Sequence, residues 1–264
     1  MSNSPLVNYT KISPYRTKNR THKIDMVVIH CVVGQASVET IGSVFQTKEA
    51  SANYGIGSDG RIGMYVEEKD RAWATGGVDR NGNSIRVNGI SGADIDHRAI
   101  SIECACDPYH PYAINNKVYA SLIKLLVDIC QRNGIKELKW QGNKNLVGQV
   151  DKQNMAVHRW FAYKACPGDY IYNLHSQIAK EVNARLIEQE DEDMTQERFN
   201  ELANNWINGL AQKDSANYAK EALDWGKSSG VMVGDEKGNQ MPKKFLTREE
   251  FIAVLYRFYN KLVK

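Results

Sequence analysis

The stretch that decides the fold is DMVVIHCVV, residues Asp25–Val33, a nearly continuous apolar run rich in β-branched side chains. Such a run is typical of a β-strand that is buried on both faces, as in a parallel sheet. His30 interrupts the run, and an imidazole without a partner is costly at a buried position. The segment therefore predicts a central strand with one polar side chain that needs a partner.

The sequence on either side alternates between strand and helix patterns, which predicts an α/β fold. The predicted elements are a helix over Ser37–Lys48, a hairpin of Tyr54–Ile56 with Arg61–Val66 around Asp59-Gly60, a strand over Ala99–Cys104, and helices over Tyr119–Arg132 and Tyr170–Ile187. Residues Trp73–His97 are rich in Gly, Asn and Asp, which predicts a long surface loop of the kind that is often functional.

Length and composition set the class of protein. The chain has 264 residues, 42% of them hydrophobic and 25% charged, with a formal net charge of +3. These values are those of a globular protein with one full domain and a smaller one. No apolar run approaches the roughly 18 residues of a membrane span, and the first residues lack a secretory signal pattern. We therefore expect synthesis in the cytoplasm without a signal peptide and no membrane span.

Two charged segments predict the domain boundaries. No acidic residue precedes Asp25, whereas five basic residues do, so residues 1–21 are predicted to be a basic extension. Such an extension can attract anionic polymers or lipid, or can simply be solvated. Five of the six residues of Glu188–Asp193 are acidic, which predicts a linker over residues 188–194. The linker separates a large domain over residues 22–187 from a helical domain over residues 195–264.

Five cysteines are too few and too scattered for a disulfide framework. Most are predicted to be small buried side chains, and Cys104 and Cys106 to lie on one strand face. Cys166 follows His158 by eight residues. Together with His30 these two residues could form a three-ligand zinc site with an open position, as a hydrolase requires. The alternatives are ordinary core histidines, or a closed structural site, for which no fourth ligand is evident.

Several short motifs occur in an order that resembles a known family. They are VVIH ending at His30, SANY over Ser51–Tyr54, Asp59-Gly60, SIE ending at Glu103, and His158 with KACP over Lys164–Pro167. This set resembles zinc-dependent N-acetylmuramoyl-L-alanine amidases of type 2, which are related to peptidoglycan recognition proteins and phage endolysins. The resemblance covers about residues 22–187. It implies a central mixed β-sheet flanked by helices, with zinc held by His30, His158 and Cys166.

The resemblance also implies the catalytic residues. One subtype of the family uses a tyrosine at the position of Ala52, whereas another uses a glutamate that matches Glu103. Glu103 is therefore expected to take a proton from the attacking water and deliver it to the leaving amine. Lys164 matches a family lysine and is expected to stabilise the oxyanion. The alternatives are an exposed strand glutamate and a plain surface lysine.

Aromatic and polar residues near these motifs are candidates for the substrate groove. They are Asn53, Tyr54, Trp73 and Trp160. Many relatives have His where Asn53 stands, and Trp-His where Trp73-Ala74 stands, so the stem-peptide preference is expected to differ. The three aromatic residues are equally compatible with core packing.

The C-terminal region is predicted to be a small all-α domain. Residues 195–212 have helical periodicity, and Thr247 with Glu250 forms a capping box that begins another helix. The region resembles a single S-layer homology motif. The resemblance implies binding to an anionic secondary cell-wall polymer, with Arg248 as the contact. A small helical tail or an oligomerisation segment is the alternative.

Together these features predict a peptidoglycan hydrolase that cleaves between N-acetylmuramic acid and L-alanine, as a phage or prophage endolysin does after release to the cell wall. An autolysin exported by another route would carry the same features. Two rival functions are a recognition module that binds peptidoglycan without cleaving it, and a structural or regulatory protein with a closed zinc site. No nucleic-acid partner is predicted.

Overall fold

The computed structural model describes residues 2–192, 196–211, 213–235, 241–243 and 245–263, with the backbone alone for residues 188–192 and 211. The chain forms two compact units, Met1–Glu190 and Asp191–Lys264. The first unit contains all the strands described below and the helices that pack on them.

A six-stranded mixed sheet forms the centre of the first unit, in the order β1-β5-β4-β9-β3-β10. The strands are β1 (Tyr9–Thr10), β2 (Arg16–Thr17), β3 (Met26–Cys31), β4 (Tyr54–Ile56), β5 (Ile62–Met64), β6 (Arg71–Ala72), β7 (Arg86–Val87), β8 (Ile90–Ser91), β9 (Ala99–Cys104) and β10 (Met155–Ala156). The β4–β5 pair is antiparallel and the other pairs of this sheet are parallel. Strands β2 and β6, and β7 and β8, form two small antiparallel pairs. The predicted α/β fold with a mixed sheet is confirmed.

The helices cover both faces of the sheet. They are α1 (Val38–Thr47), α2 (Gly92–Arg98), α3 (Asn116–Asn133) and α4 (Asp169–Glu192). Alternate side chains of β3 enter different clusters: Val27 and Ile29 pack with α3 and α4, whereas Met26 and Val28 pack on the opposite face with Ile95 of α2. Since side chains along a strand alternate between faces, His30 belongs to the face of Met26 and Val28.

Helix caps explain where the predicted helices begin and end. Ser37 caps α1 by accepting from the Thr40 amide, and Gly134 ends α3 in the left-handed conformation with φ of 68°. The α3 helix begins three residues before the predicted start because Asn115 caps its first turn.

The segment Trp73–His97 contains more regular structure than the predicted loop. It includes β7, β8 and most of α2, which begins with a capping box between Ser91 and Asp94. The helix was not predicted because it is short and begins with Gly92, although the Ser91-x-x-Asp94 spacing is a capping signal.

The basic N-terminal segment is not a separate extension, which corrects the predicted boundary at residue 22. Strand β1 adds to the edge of the sheet beside β5, and β2 pairs with β6. The basic charges have partners: Arg16 pairs with Asp70, and Arg20 donates to the carbonyls of Glu68 and Asp96. These charges hold the segment to the domain.

The acidic run does not begin a linker at residue 188, because α4 continues through Glu192. Elongation of an existing helix adds a hydrogen bond per residue without a new nucleus, which accounts for this continuation. The remainder of the predicted linker, residues 193–194, lies outside the described residues.

The second unit is helical, with α5 (Gln196–Ala211), α6 (Lys220–Ser228) and α7 (Arg248–Leu262). The capping box of Thr247 and Glu250 at the start of α7 is confirmed. Among the described residues of this unit, Val231 is the one buried large apolar side chain, whereas many aromatic side chains, including Trp206 and Tyr256, are exposed. No helix in the described parts of the chain combines the length and apolarity that a membrane crossing needs.

A buried ionic cluster around Glu68 ties three segments of the first unit together. The fully buried Glu68 carboxylate accepts from the Tyr54 hydroxyl at 2.6 Å, from Arg132 at 2.6 and 2.9 Å, and from Asn133 at 3.2 Å. The Tyr54 oxygen in turn accepts from the Ser4 amide at 2.9 Å. The cluster therefore joins the N-terminal segment, β4 and the end of α3.

We expect Glu68→Ala to lower the free energy of unfolding by about 3 kcal/mol, because it leaves the Arg132 charge without its main buried partner. Asp128 still pairs with Arg132 at 2.8 Å, which limits the loss. Urea unfolding of the variant provides the measurement. The matched control is Glu39→Ala, which removes an exposed ion pair with Arg61 and should lower the free energy of unfolding much less than Glu68→Ala does. Equal losses of unfolding free energy in the two variants would contradict the stabilising role of the Glu68 cluster.

His175 of α4 is a buried histidine outside any predicted site. Its Nδ1 bonds to the Ile171 carbonyl at 2.8 Å, its ring lies 4.4 Å from that of Trp140, and its Nε2 has no partner among the described residues. Burial lowers the pKa of His175 to about 4. The folded protein therefore holds this ring neutral at neutral pH.

Because the unfolded chain protonates His175 near its ordinary pKa of 6.5, stability should fall as the pH drops from 6.5 to about 4. Between pH 7 and pH 5 this one group contributes a loss of about 2 kcal/mol. His175→Phe should remove that part of the pH dependence in urea unfolding, whatever its effect at pH 7. His22→Phe makes the same change at an exposed position and is the matched control for the loss of a histidine. If the free energy of unfolding of His175→Phe falls between pH 7 and pH 5 as much as that of the parent chain, the prediction is refuted.

Candidate metal centre

Two functional side chains are placed by the register between β3 and β9. His30 and Glu103 are Cα partners in this parallel pair, and each is the second-last residue of its strand. Partners in a parallel pair project from the same face, so the imidazole and the carboxylate lie side by side. They stand at the carboxyl edge of the strands, where ligands commonly bind in open α/β sheets.

His158 reaches the same edge from the other side of β3. Strand β10 pairs with β3 in parallel, with Ala156 opposite Val28, and His158 follows two residues later at the start of a short 3₁₀ helix. The rings of His30 and His158 have centroids 5.2 Å apart and planes at 72°.

Cys166 completes the cluster from the loop that precedes α4. Its Sγ lies 3.4 Å from Nδ1 of His30. One ligand atom from each of His30, His158 and Cys166 lies within 4.8 Å of the other two. The structure thus brings together the three residues that the sequence predicted to be metal ligands.

The chemistry of these groups fits a metal ion such as Zn²⁺. Nε2 of His30 and Nε2 of His158 are buried and have no hydrogen-bond partner among the described residues. The pKa of His30 lies well below its ordinary value and that of His158 is about 4, mainly because of burial and in part because of the Lys164 charge. Neutral imidazoles and a thiol are the donor set that tetrahedral zinc prefers.

Glu103 lies beside this cluster as a half-buried residue whose Oε2 is inaccessible to solvent. Burial raises the pKa of Glu103 to about 7, and the charge of Lys164 opposes the shift. Its Oε2 has no hydrogen-bond partner within the described part of the chain. A carboxyl group with a pKa near neutrality can both accept and donate a proton.

A cleft of about 610 Å³ opens over the cluster. Glu103, His158, Lys164 and Cys166 line it together with one face of α1 and its C-cap, which contribute Ile41, Val44, Phe45 and Lys48. Trp73 also lines the cleft, is 38% exposed, and donates from Nε1 to the Thr17 hydroxyl at 2.9 Å. Of the predicted groove residues, Trp73 is thus at the cleft surface.

The other three predicted groove residues are in the core, which corrects their assignment. Asn53 is fully buried, donates to the Val66 carbonyl, and accepts at Oδ1 from Arg20 and the Ser101 amide. The Tyr54 hydroxyl belongs to the Glu68 cluster. The buried Trp160 stacks on Trp140, with ring centroids 5.4 Å apart and planes at 6°.

One residue that shapes the cleft wall was not predicted from the sequence. The buried Asp96 of α2 accepts from the Ala74 amide at 3.0 Å and from the Thr75 amide at 3.1 Å. The next residue, Gly76, hydrogen-bonds through its carbonyl to the His158 ring, which raises the pKa of that ring against the effect of burial. No motif around Asp96 indicated this role, because it depends on helix α2, which was not predicted either.

The remaining cysteines are free and buried, as predicted: Cys31, Cys104, Cys106 and Cys130. Cys31 differs from the others because it also lines the cleft, next to His30 along β3. A hydrogen bond with Cys106 lowers the pKa of the Cys31 thiol, but a hydrogen bond with Cys166 and burial outweigh it and raise that pKa above its ordinary value. Cys31 therefore stays in the thiol form at neutral pH.

Sequence comparison finds one family model that matches, described as N-acetylmuramoyl-L-alanine amidase, over residues 20–169. No curated protein sequence matches the chain.

Among solved structures, a selenomethionine derivative of AmpD is similar at 17% identity, covering 67% of this chain and 96% of that chain, with a TM-score of 0.44. The endolysin N-acetylmuramoyl-L-alanine amidase LysCS from Clostridium intestinale URNW is similar at 14% identity, covering 67% and 98%, with a TM-score of 0.41. Peptidoglycan recognition protein SD of Drosophila is similar at 15% identity, covering 62% and 87%, with a TM-score of 0.43.

Proposed function

Because the chain belongs to the N-acetylmuramoyl-L-alanine amidase family, we propose that it is a zinc-dependent enzyme that hydrolyses the amide bond between N-acetylmuramic acid and L-alanine in peptidoglycan. One observation carries the proposal. Two neutral imidazoles and a thiol converge beside the half-buried carboxyl group of Glu103, under an open cleft.

His30, His158 and Cys166 would hold the metal. Zinc with three protein ligands and an open position lowers the pKa of water and polarises a carbonyl group. The buried imidazoles are neutral at physiological pH, so their lone pairs need no deprotonation before they bind.

Glu103 is the general acid and base of the proposed mechanism. Its carboxylate takes a proton from the attacking water and passes it to the nitrogen of the leaving L-alanine. A pKa of about 7 suits both steps, because neither protonation state is strongly favoured near neutral pH. The unpartnered Oε2 leaves a lone pair available for the proton.

Lys164 supplies the positive charge on the cleft side. It lies two residues before Cys166 and lines the same cleft, and its charge acts on His30, His158 and Glu103. We assign it to stabilise the negative charge that develops on the carbonyl oxygen during attack. Trp73 at the rim offers a flat face to the sugar or stem peptide.

We place this activity at the bacterial cell wall, as that of a phage or prophage endolysin. The second unit is then assigned to bind an anionic secondary wall polymer. Arg248 is the contact in this proposal, since it is exposed in the first turn of α7, directly after the Thr247 cap.

The test is incubation of the purified full chain with bacterial peptidoglycan. Amidase activity should release new free amino groups without new reducing ends, and metal analysis should find one zinc per chain. Zinc without released amines would favour a recognition module or a closed structural site. Amine release without zinc would refute the metal-dependent mechanism.

Variants of the ligands sharpen this test. His30→Ala and Cys166→Ala should lose both zinc and activity, because two remaining ligands do not hold the metal. His22→Ala and Cys130→Ala, which change the same residue types away from the cluster, should keep both.

Removal of the carboxylate should separate metal binding from catalysis. We expect Glu103→Gln to retain zinc and to lose about 10²–10⁴-fold in kcat, the usual contribution of general acid–base catalysis. The rate of amine release and the zinc content are measured on the same sample. Retention of full activity would remove Glu103 from the mechanism, and loss of zinc would instead make it a ligand.

A further inference from the structure

Arg159 directly follows His158 and reaches the loop that carries Cys166. Its guanidinium donates from Nη2 to the Ala165 carbonyl at 2.7 Å and from Nη1 to Oδ1 of Asp169 at 2.9 Å. Ala165 is the residue before Cys166, and Asp169 is the first residue of α4. The two hydrogen bonds therefore hold the loop on both sides of the thiol.

The backbone reinforces this connection. The Arg159 amide donates to the Cys166 carbonyl at 3.0 Å, and the Gly168 amide closes the turn onto the Ala165 carbonyl at 2.8 Å. The loop is thus a compact turn, and the segment of His158 is tied to it through main chain and side chain.

The guanidinium itself is held in one orientation. Its Cζ lies 4.8 Å from the centre of the Tyr172 ring, and the Asp169 carboxylate is fixed on its other oxygen by Nε2 of His110 at 2.7 Å. The planar guanidinium group of arginine can make two hydrogen bonds while it stacks on a ring. A lysine ammonium is a point charge and cannot replace it in this arrangement.

On the basis of the proposed zinc site, we propose that Arg159 is a positioning residue. It sets the place of the Cys166 thiol relative to His30 and His158, and thereby the affinity for zinc. Arg159 is not among the described residues that line the cleft, so its effect reaches the metal through the loop. Groups that orient metal ligands in this way contribute about 10–100-fold to affinity.

The experiment measures zinc affinity of the full chain by competition with a chromophoric chelator, and the absorption spectrum of the cobalt-substituted protein. Arg159→Ala should weaken zinc binding by about 10–100-fold and change the thiolate-to-cobalt charge-transfer band. Arg159→Lys should lie between this variant and the parent chain. Arg61→Ala is the matched control, since Arg61 also pairs with two acceptors, Glu39 and Asp59, but at an exposed site. It should bind zinc within about twofold of the parent, as expected for exposed ion pairs.

Thermal unfolding of the metal-free variants shows which of them are folded. In a folded variant, a changed cobalt band reports a displaced thiolate and not a loss of fold. If Arg159→Ala does not fold, Arg159→Lys and Asp169→Asn decide the question. Parent-like zinc affinity and cobalt spectra in the folded Arg159 variants would overturn the inference while leaving the zinc site intact. Failure of the parent chain to bind zinc would instead overturn the proposed function, and this inference with it.

Discussion

The register of β3 against β9 is the constraint on which the site depends. The pairing of His30 with Glu103 places an imidazole and a carboxylate side by side on one face of the sheet. A shift of one residue in either strand would turn its side chain to the opposite face, among the aliphatic residues that pack under α3 and α4. Because Met26–Ile29 are apolar on both buried faces of β3, His30 is the residue of this strand whose environment such a shift would change most.

Burial of these polar groups gives them their chemistry. An ordinary imidazole is partly protonated near neutral pH, whereas His30 and His158 are held neutral by the surrounding apolar residues. The same environment raises the pKa of the Glu103 carboxyl into the neutral range. One physical effect, desolvation, therefore keeps both imidazoles neutral and brings the pKa of the carboxyl group beside them near neutrality. The free energy of folding of the surrounding sheet offsets the cost of keeping these groups unpartnered.

A residue's position in the fold could be predicted from the sequence when the residues that determine it are close by along the chain. The central strand, helices α1 and α3 and the hairpin were predictable because their signals are periodicity and turn chemistry within a few positions. His30, His158 and Cys166 stood out by residue type and by motif order. The placement of Asn53 and Tyr54 could not be predicted, since their partners Arg20, Ser101 and Glu68 come from other segments of the chain. The basic segment was misjudged for the same reason, because its charges are paired only in the folded domain.

The separation of the three candidate ligands along the chain has a consequence for stability. His30 and Cys166 are 136 positions apart, yet they meet across one hydrogen-bonding distance. The unfolded chain cannot hold such a set together, so a metal ion bound there binds the folded state in preference and stabilises it by mass action. Arg159 and Asp96 gain their importance from this geometry. Each fixes a segment that carries or touches one candidate ligand, which lowers the conformational entropy that binding a metal ion there would cost.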